Sequence, residues 1–174
     1  TAQSHDRCSI VEVMGRNAGY IALDAGIATG ATSVLVPEIP YDFEKDIIER
    51  MERTLKGGTQ HFIIIVAEGV GGSEQLAHDI QDKLGIITKC TILGHVQRGG
   101  SPTAYDRVMA SRMGYEAVNL LSKGIGDRVI AFKDNKIVDY DIQEALKMKK
   151  ELDITKYKMA YAISTAGLEL KSGE

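Results

Sequence analysis

Segments with strand character alternate with segments of helix character along most of this chain, and this alternation restricts the possible folds most strongly. The clearest strand covers residues 61–67, which are apolar throughout after the first position. A strand of that kind is typical of a sheet covered on both faces, as in the parallel sheets of α/β proteins. We therefore predict an α/β fold with a largely parallel sheet and helices on both of its faces.

The element boundaries follow from hydrophobic period and from the positions of glycine and proline. Strands are predicted at 8–13, 33–36, 61–67 and 88–93. Helices are predicted at 15–29, 43–56, 73–84 and 102–121, followed by short strands at 129–132 and 136–138 and by helices at 141–149 and 154–166. We predict that Ser73 caps the third helix and that Ser101-Pro102 begins the fourth.

The fourth predicted helix has apolar residues at helical spacing and should turn them toward a core. They are Tyr105, Val108, Met109, Met113, Ala117 and Leu120.

Composition excludes several classes of protein. The 174 residues include 21 Lys and Arg against 24 Asp and Glu, a formal net charge of −3, which argues against nucleic-acid binding through overall charge. The longest wholly apolar run, 62–67, is far shorter than the roughly 20 residues that span a bilayer. Cys8 and Cys90 are predicted to be buried free thiols, and no leader-like segment is present. We expect a cytoplasmic protein that binds neither nucleic acid nor membrane.

Polar residues follow several predicted strands, where an apolar core does not require them. They lie at 14–16, at 68–69 and at 94–101. Ligands of open α/β sheets bind beyond the carboxyl ends of the strands, so these three segments are the candidate site. Arg7 and Lys89 stand at strand starts and should lie at the opposite edge of the sheet.

The segment 95–101 is the most informative of the three. Its two glycines allow close backbone approach, and a helix N-terminus is predicted to follow with free amide groups. Together with His95 and Arg98, this arrangement suits a phosphate group. An ordinary tight turn between a strand and a helix explains the same residues, and Glu68 is equally compatible with a sugar-binding carboxylate or a surface loop.

Familiar nucleotide and metal motifs are absent from the sequence. It contains no G-x-x-x-x-G-K-[ST] loop, no G-x-G-x-x-G turn and no paired-histidine metal motif. The chain therefore offers a place for an anion but no recognisable nucleotide or metal site.

Two motifs resemble those of the 6-phosphofructokinases. M-G-R at 14–16 is similar to one family motif, and G-H-V-Q-R-G-G-S-P at 94–102, continuing to Gly114, is similar to its long signature. The resemblance extends to about residue 144. It implies one lobe of a three-layer, two-lobed α/β fold and transfer of a phosphoryl group to the 1-hydroxyl of fructose 6-phosphate.

The resemblance also implies roles for individual residues. The sugar phosphate would be held from this chain by Met14, Gly15, Arg16, Glu68, His95 and Arg98. Arg16 would in addition stabilise charge on the transferring phosphoryl group. Arg7 and Lys89 would reach into a neighbouring subunit's site, which implies a homo-oligomer.

The sequence departs from the family pattern in three respects. Lys89 stands where the family usually has arginine, which predicts weaker sugar-phosphate binding because the bidentate fork is lost. Thr32, Gly57 and Thr59 replace an acidic residue and two lysines of a nucleotide-effector site, so regulation by ADP or phosphoenolpyruvate is not expected. The donor loop, the metal contacts and the aspartate base of the family's N-terminal half match no segment here.

Residues 1–174 are therefore predicted to be a single lobe, the substrate-binding half of the enzyme, with the donor-binding half absent. The chain starts at Thr1, which also suggests truncation. We expect Mg²⁺ with ATP as the donor, bound mainly by the other half, and no activity of this chain alone. A pyrophosphate donor and a non-catalytic sugar-phosphate-binding or oligomerising module remain as alternatives.

Overall fold

The computed structural model describes residues 7–164, which form two compact units. One unit contains residues 7–98 and 152–164, and the other contains residues 99–151. The single lobe predicted over residues 1–174 stays a prediction.

Four parallel strands form the sheet of the first unit. They are β1 (Cys8–Val13), β2 (Ser33–Leu35), β3 (Phe62–Ala67) and β4 (Thr88–Ile92), in the order β2-β3-β1-β4. Ile10 of β1 pairs with Ile64 on one side and with Cys90 on the other. The predicted parallel sheet is confirmed, with each strand boundary within one residue of its expected position.

Both faces of this sheet are covered by helices, because successive side chains of a strand point to opposite faces. The helices are α1 (Tyr20–Thr29), α2 (Glu49–Lys56), α3 (Ser73–Leu84) and α6 (Ile154–Ile163). Phe62, Ile64 and Val66 pack with residues of α2 and α3. Ile65 and Ala67 pack with residues of α1 and α6. The α/β fold with helices on both faces is therefore confirmed.

The first predicted helix begins later than expected, whereas residues 43–56 are helical as predicted but include a π-helical segment. The first starts at Tyr20 and not at residue 15, because the preceding loop contains Gly15 and Arg16 at positive φ. Residues 44–48 form a π-helical turn, Glu44–Ile48, before α2 begins. The last helix is described to Ile163, and the predicted residues 165–166 lie outside the described part of the chain.

The predicted cap of α3 is wrong. Gly72, with a φ of 68°, is the N-cap, and Ser73 is the first helical residue. Ser73 is buried, and its hydroxyl donates to the Glu12 carboxylate at 2.5 Å, so it ties α3 to β1. The inner face of α3 includes Leu76, Ala77 and Ile80, which are buried.

A buried arginine links α2 to the end of α6. The Arg50 side chain is 7% exposed, and its Nε donates to the Thr32 carbonyl oxygen at 2.9 Å. Its Nη2 donates to the Ser164 hydroxyl at 2.5 Å, and its guanidinium lies 4.2 Å from the Tyr161 ring centroid. Burial lowers the pKa of Arg50. Hydrogen bonds and a cation–π contact thus compensate for burial of this charge.

The two thiols are free, but only one is fully buried. Cys8 is buried and Cys90 is partly buried, which corrects the expectation for Cys90. Burial raises the pKa of Cys8 to about 12, so its thiol is protonated at neutral pH.

The second unit contains a long helix and a hairpin. Its elements are α4 (Ala104–Ser122), β5 (Arg128–Lys133), β6 (Lys136–Asp141) and the short α5 (Ile142–Ala145). The predicted hairpin is confirmed, and its turn residues Asp134 and Asn135 have the positive φ of a two-residue loop. The helix predicted at 141–149 is limited to α5.

The predicted start and burial of α4 both require correction. Its N-cap is Thr103, which forms a capping box with Asp106, so Ser101-Pro102 precede the helix. Of the six residues expected to face a core, only Leu120 is buried, whereas Tyr105 and Val108 are 63% and 57% exposed. Met109, Met113 and Ala117 are partly buried. The described residues therefore cover this apolar face only in part.

Over residues 7–164, none of the helices combines the length and the apolar character that crossing a membrane requires.

Candidate functional site

The carboxyl ends of β1, β3 and β4 lie side by side. Val13 at the end of β1 pairs with Ala67 at the end of β3, and Glu12 pairs with Ile92 of β4. The segments at 14–16, 68–69 and 94–98 consequently leave the sheet at one edge. This is the edge at which ligands of open α/β sheets bind, so the predicted convergence of these segments is confirmed.

Glu68 binds the backbone of the loop at 14–16. Its Oε1 accepts hydrogen bonds from the amide of Gly15 at 3.0 Å and from the amide of Arg16 at 2.5 Å. The amide of Glu68 itself donates to the Val13 carbonyl oxygen at 2.9 Å. Glu68 therefore binds the backbone of the neighbouring loop. It is not a surface-loop carboxylate without hydrogen-bond partners.

These contacts keep Glu68 ionised to low pH. The Arg16 amide, followed by the Gly15 amide, lowers the pKa of Glu68 below its usual value of 4.5, and the charges of Arg16 and Arg98 act in the same direction.

We expect the NMR signals of the Glu68 carboxyl group and of the loop amides that it binds to titrate with the same midpoint. A folded pKa below the unfolded value contributes stability above about pH 4.5, and this is lost as the pH falls through the folded pKa. NMR titration should give one midpoint, below 4.5, for the Glu68 carboxyl carbon and for the Gly15 and Arg16 amides. In the control variant Glu68→Gln, the two amide signals should no longer titrate. A Glu68 midpoint at or above 4.5 would contradict this geometry.

Gln97 also holds this loop, although the sequence did not single it out. Its Oε1 accepts a hydrogen bond from the Met14 amide at 2.7 Å. The sequence signals for this residue were its position between His95 and Arg98, after a strand, and its place in the motif at 94–102.

The loops at 14–17 and 68–69 approach each other too closely for a side chain between them. A Cβ atom on Gly69 would lie 2.2 Å from the Arg16 carbonyl oxygen. A Cβ atom on Gly15 would lie 2.3 Å from the Ala18 carbonyl oxygen. Arg16 itself has a φ of 51°, which non-glycine residues seldom adopt and which the contacts of Glu68 help to maintain.

The turn after β4 exposes a histidine and an arginine. Gly94–Arg98 forms a 3-10 turn, and His95 and Arg98 are both exposed, as is Arg16 at the end of β1. The predicted helix N-terminus directly behind the glycine pair is wrong, because the next helix begins at Ala104 and is capped by Thr103. Side chains and turn amides remain as the groups that could bind an anion here.

Arg7 and Lys89 lie away from this cluster. Arg7 precedes β1, and Lys89, exposed near the start of β4, pairs with Ser9. At about 3.3 Å per residue, the length of β1 separates Arg7 from Met14 by roughly 20 Å. The predicted opposite edge is thus confirmed, and neither residue can join Glu68 at one site within a single chain.

The described part of the chain contains no group of three His, Cys, Asp or Glu side chains that could hold a metal ion. A surface cavity of about 560 Å³ lies in the second unit, lined by residues of α4 and of the β5–β6 hairpin. None of the predicted site residues lines this cavity. The candidate site is therefore identified by the polar and charged residues at the carboxyl ends of the strands, and not by the size of a cavity.

Comparisons with known proteins agree on one family. The family model described as phosphofructokinase matches residues 1–121. The chain is 54% identical over 164 residues to ATP-dependent 6-phosphofructokinase 1 of Clostridium perfringens and 52% identical to the ATP-dependent 6-phosphofructokinase of Brevibacillus brevis. Each alignment covers 94% of this chain and 51% of the relative. The chain therefore spans about half the length of the curated relatives it matches.

Solved structures agree with this result. Phosphofructokinase from Saccharomyces cerevisiae matches with a TM-score of 0.78 and 36% identity, over 93% of this chain and 22% of that one. A pyrophosphate-dependent phosphofructokinase from Marinobacter aquaeolei matches with a TM-score of 0.75 and 25% identity, over 88% of this chain and 44% of that one.

Proposed function

Because the chain belongs to the phosphofructokinase family, we propose that it is the acceptor-binding half of an ATP-dependent 6-phosphofructokinase. The complete enzyme would transfer the γ-phosphoryl group of ATP to the 1-hydroxyl of fructose 6-phosphate, giving fructose 1,6-bisphosphate. One observation carries this proposal. Glu68 and Gln97 hold the M-G-R loop at the edge of the sheet where His95 and Arg98 are exposed.

Substrate binding is assigned to the groups at this edge. His95 and Arg98 would contact the 6-phosphate, since an exposed guanidinium and an exposed imidazole N–H can both donate hydrogen bonds to it. Both backbone contacts of the Glu68 carboxylate are made by Oε1, so its second oxygen would accept hydrogen bonds from sugar hydroxyls. Met14 and Gly15 would contact the sugar through the loop that Glu68 and Gln97 hold.

Arg16 is the residue we assign to the chemical step. Phosphoryl transfer depends on in-line positioning and on stabilising the charge spread over the transferring group. An exposed guanidinium beside the bound sugar would supply part of that stabilisation. No proton acceptor for the 1-hydroxyl is assigned within this chain, so the base would come from the other half.

The donor and its metal are assigned to the half that this chain does not cover. Among the described residues there is no group of three His, Cys, Asp or Glu side chains that could hold Mg²⁺. ATP is favoured over pyrophosphate because the curated relatives at 49–54% identity are named ATP-dependent. The pyrophosphate-dependent structures match at only 20–25% identity.

Two features concern assembly and regulation. Arg7 and Lys89 lie at the edge opposite to Glu68, so we propose that a second copy of the chain uses them at its own site. Thr32 is buried, and its carbonyl oxygen is bound by Arg50. We propose that ADP and phosphoenolpyruvate do not regulate the enzyme, because Thr32, Gly57 and Thr59 replace the charged residues of the family's effector site.

Lys89→Arg should tighten binding of fructose 6-phosphate about three- to tenfold. Arginine keeps the charge and adds a planar fork that can bind a phosphate through two hydrogen bonds. Calorimetric titration of the oligomer would measure the change, and Lys83→Arg, on the surface of α3, is the matched control. Unchanged affinity in Lys89→Arg would argue against a phosphate contact by this residue.

Calorimetry also tests the proposed function. The chain should bind fructose 6-phosphate more tightly than inorganic phosphate, and Arg98→Met should weaken that binding. Arg53→Met, an exposed arginine of α2, should not. Equal affinity for the two ligands would contradict the proposal. Tight binding without transfer, once the rest of the enzyme is supplied, would favour a non-catalytic binding module.

A further inference from the structure

Three consecutive backbone amides of the M-G-R loop are bound by two side chains. The Met14 amide donates to Gln97, and the Gly15 and Arg16 amides both donate to Glu68. Gln97 follows β4 and Glu68 follows β3, so the loop after β1 is held from both of its neighbouring strands. We name these two side chains and three amides the loop clamp.

The loop needs such a clamp because its own conformation is unfavourable. Arg16 has a φ of 51°, a region of backbone conformation that a non-glycine residue keeps only where surrounding contacts maintain it. No helix or strand includes residues 14–19, and the backbone of Gly69 packs directly against the Arg16 carbonyl group. The clamp therefore helps to maintain the backbone conformation from which the Arg16 side chain leaves the loop.

From this geometry we propose that Gln97 is a positioning residue that sets the direction of Arg16 by holding the Met14 amide. This inference rests on the proposed function, because it assigns to Arg16 the transferring phosphoryl group. Gln97 acts through the backbone and needs no contact with the substrate.

The chemistry of the clamp explains why a neutral side chain suits this position. Glu68 already places one negative charge beside a site for an anionic sugar phosphate. A glutamate at 97 would keep an acceptor oxygen for the Met14 amide but would add a second negative charge between His95 and Arg98. Glutamine provides the acceptor without that charge. Substitutions at position 97 can therefore test the hydrogen-bond acceptor and the charge separately.

Two variants of Gln97 should therefore have different kinetic effects. Gln97→Met removes the acceptor and should lower kcat about tenfold, with a smaller change in KM for fructose 6-phosphate. Gln97→Glu keeps the acceptor and should leave kcat within about twofold, while KM rises about fivefold or more. Gln81→Met is the matched control, since Gln81 also accepts from a backbone amide, that of Thr88, and should leave kcat unchanged.

The kinetic assay uses a reconstituted enzyme. It consists of this chain co-expressed with the part of the Clostridium perfringens relative that the chain does not cover. A second readout needs no activity: the solvent-exchange rate of the Met14 amide, measured by NMR on the chain. That rate should increase several-fold in Gln97→Met and stay near the unsubstituted value in Gln97→Glu.

The outcomes separate this inference from the proposed function. An unchanged Met14 exchange rate in Gln97→Met, or an unchanged kcat, would overturn the positioning role. Increased exchange with reduced kcat, restored in Gln97→Glu, would support it. A reconstituted enzyme that transfers no phosphoryl group would overturn the proposed function, and with it the assignment of Arg16 on which this inference rests.

Discussion

Arg16→Met should lower kcat of the reconstituted enzyme about 10³-fold, with KM for fructose 6-phosphate changed by less than about fivefold. Arginines that stabilise a transferring phosphoryl group contribute about 10³-fold or more in related chemistry. The charge on that group develops in the transition state, so its loss should appear mainly in kcat. Methionine keeps an unbranched stem and removes only the cationic group.

Two comparisons make this prediction specific. Arg16→Lys keeps the charge without the planar fork and should recover part of the lost rate. Arg53→Met removes an exposed arginine elsewhere and should have no effect on kcat. Steady-state kinetics with both substrates varied would measure each variant. A fall in kcat of less than tenfold for Arg16→Met would contradict the assigned role.

Gly69→Ala should reduce kcat/KM about 10²-fold by separating the two loops of the site. The added Cβ would lie 2.2 Å from the Arg16 carbonyl oxygen and 3.2 Å from the Asn17 Cα. Both contacts are to backbone, so the loop and not a flexible side chain must move. Displacing a catalytic group by about 1 Å is enough for a loss of this size.

Gly71→Ala is the matched control for this clash. Gly71 follows two residues later and has a φ of 74°, and a Cβ atom added there would meet no neighbouring group within 4 Å. The control therefore tests backbone strain alone, about 1–2 kcal/mol, without displacement of the M-G-R loop. Thermal unfolding and kcat/KM should be measured together. Equal losses of activity in both variants would show that the clash with Arg16 is not the cause.

The elements that sequence analysis predicted best are those whose local pattern and tertiary environment agree. Residues 62–67 are apolar because both faces of β3 are covered, and Leu76, Ala77 and Ile80 mark the buried stripe of α3. Apolar residues at helical spacing did not predict burial correctly in α4. Its apolar residues have helical spacing, but periodicity cannot tell whether the surface that covers them lies within the described chain.

Sequence patterns were less informative about the helix caps and about the contacts within the candidate site. Ser73 is a residue type that often caps helices. Its hydroxyl instead donates a hydrogen bond to Glu12 on β1, and Gly72, which has a positive φ, is the N-cap. The role of Gln97 depends on a contact with Met14, 83 residues away, which only the strand register creates. Sequence patterns indicated the three segments of the candidate site but could not predict which of their atoms contact one another.

The most direct test of the account is phosphoryl transfer to fructose 6-phosphate, with ATP and then pyrophosphate, both in the presence of Mg²⁺. The chain alone should give no fructose 1,6-bisphosphate, and the reconstituted enzyme should give it with ATP. That result would support an acceptor-binding half that depends on a separate donor-binding half. Clear turnover by the chain alone would contradict the account, because a donor site and a base would then lie within these 174 residues.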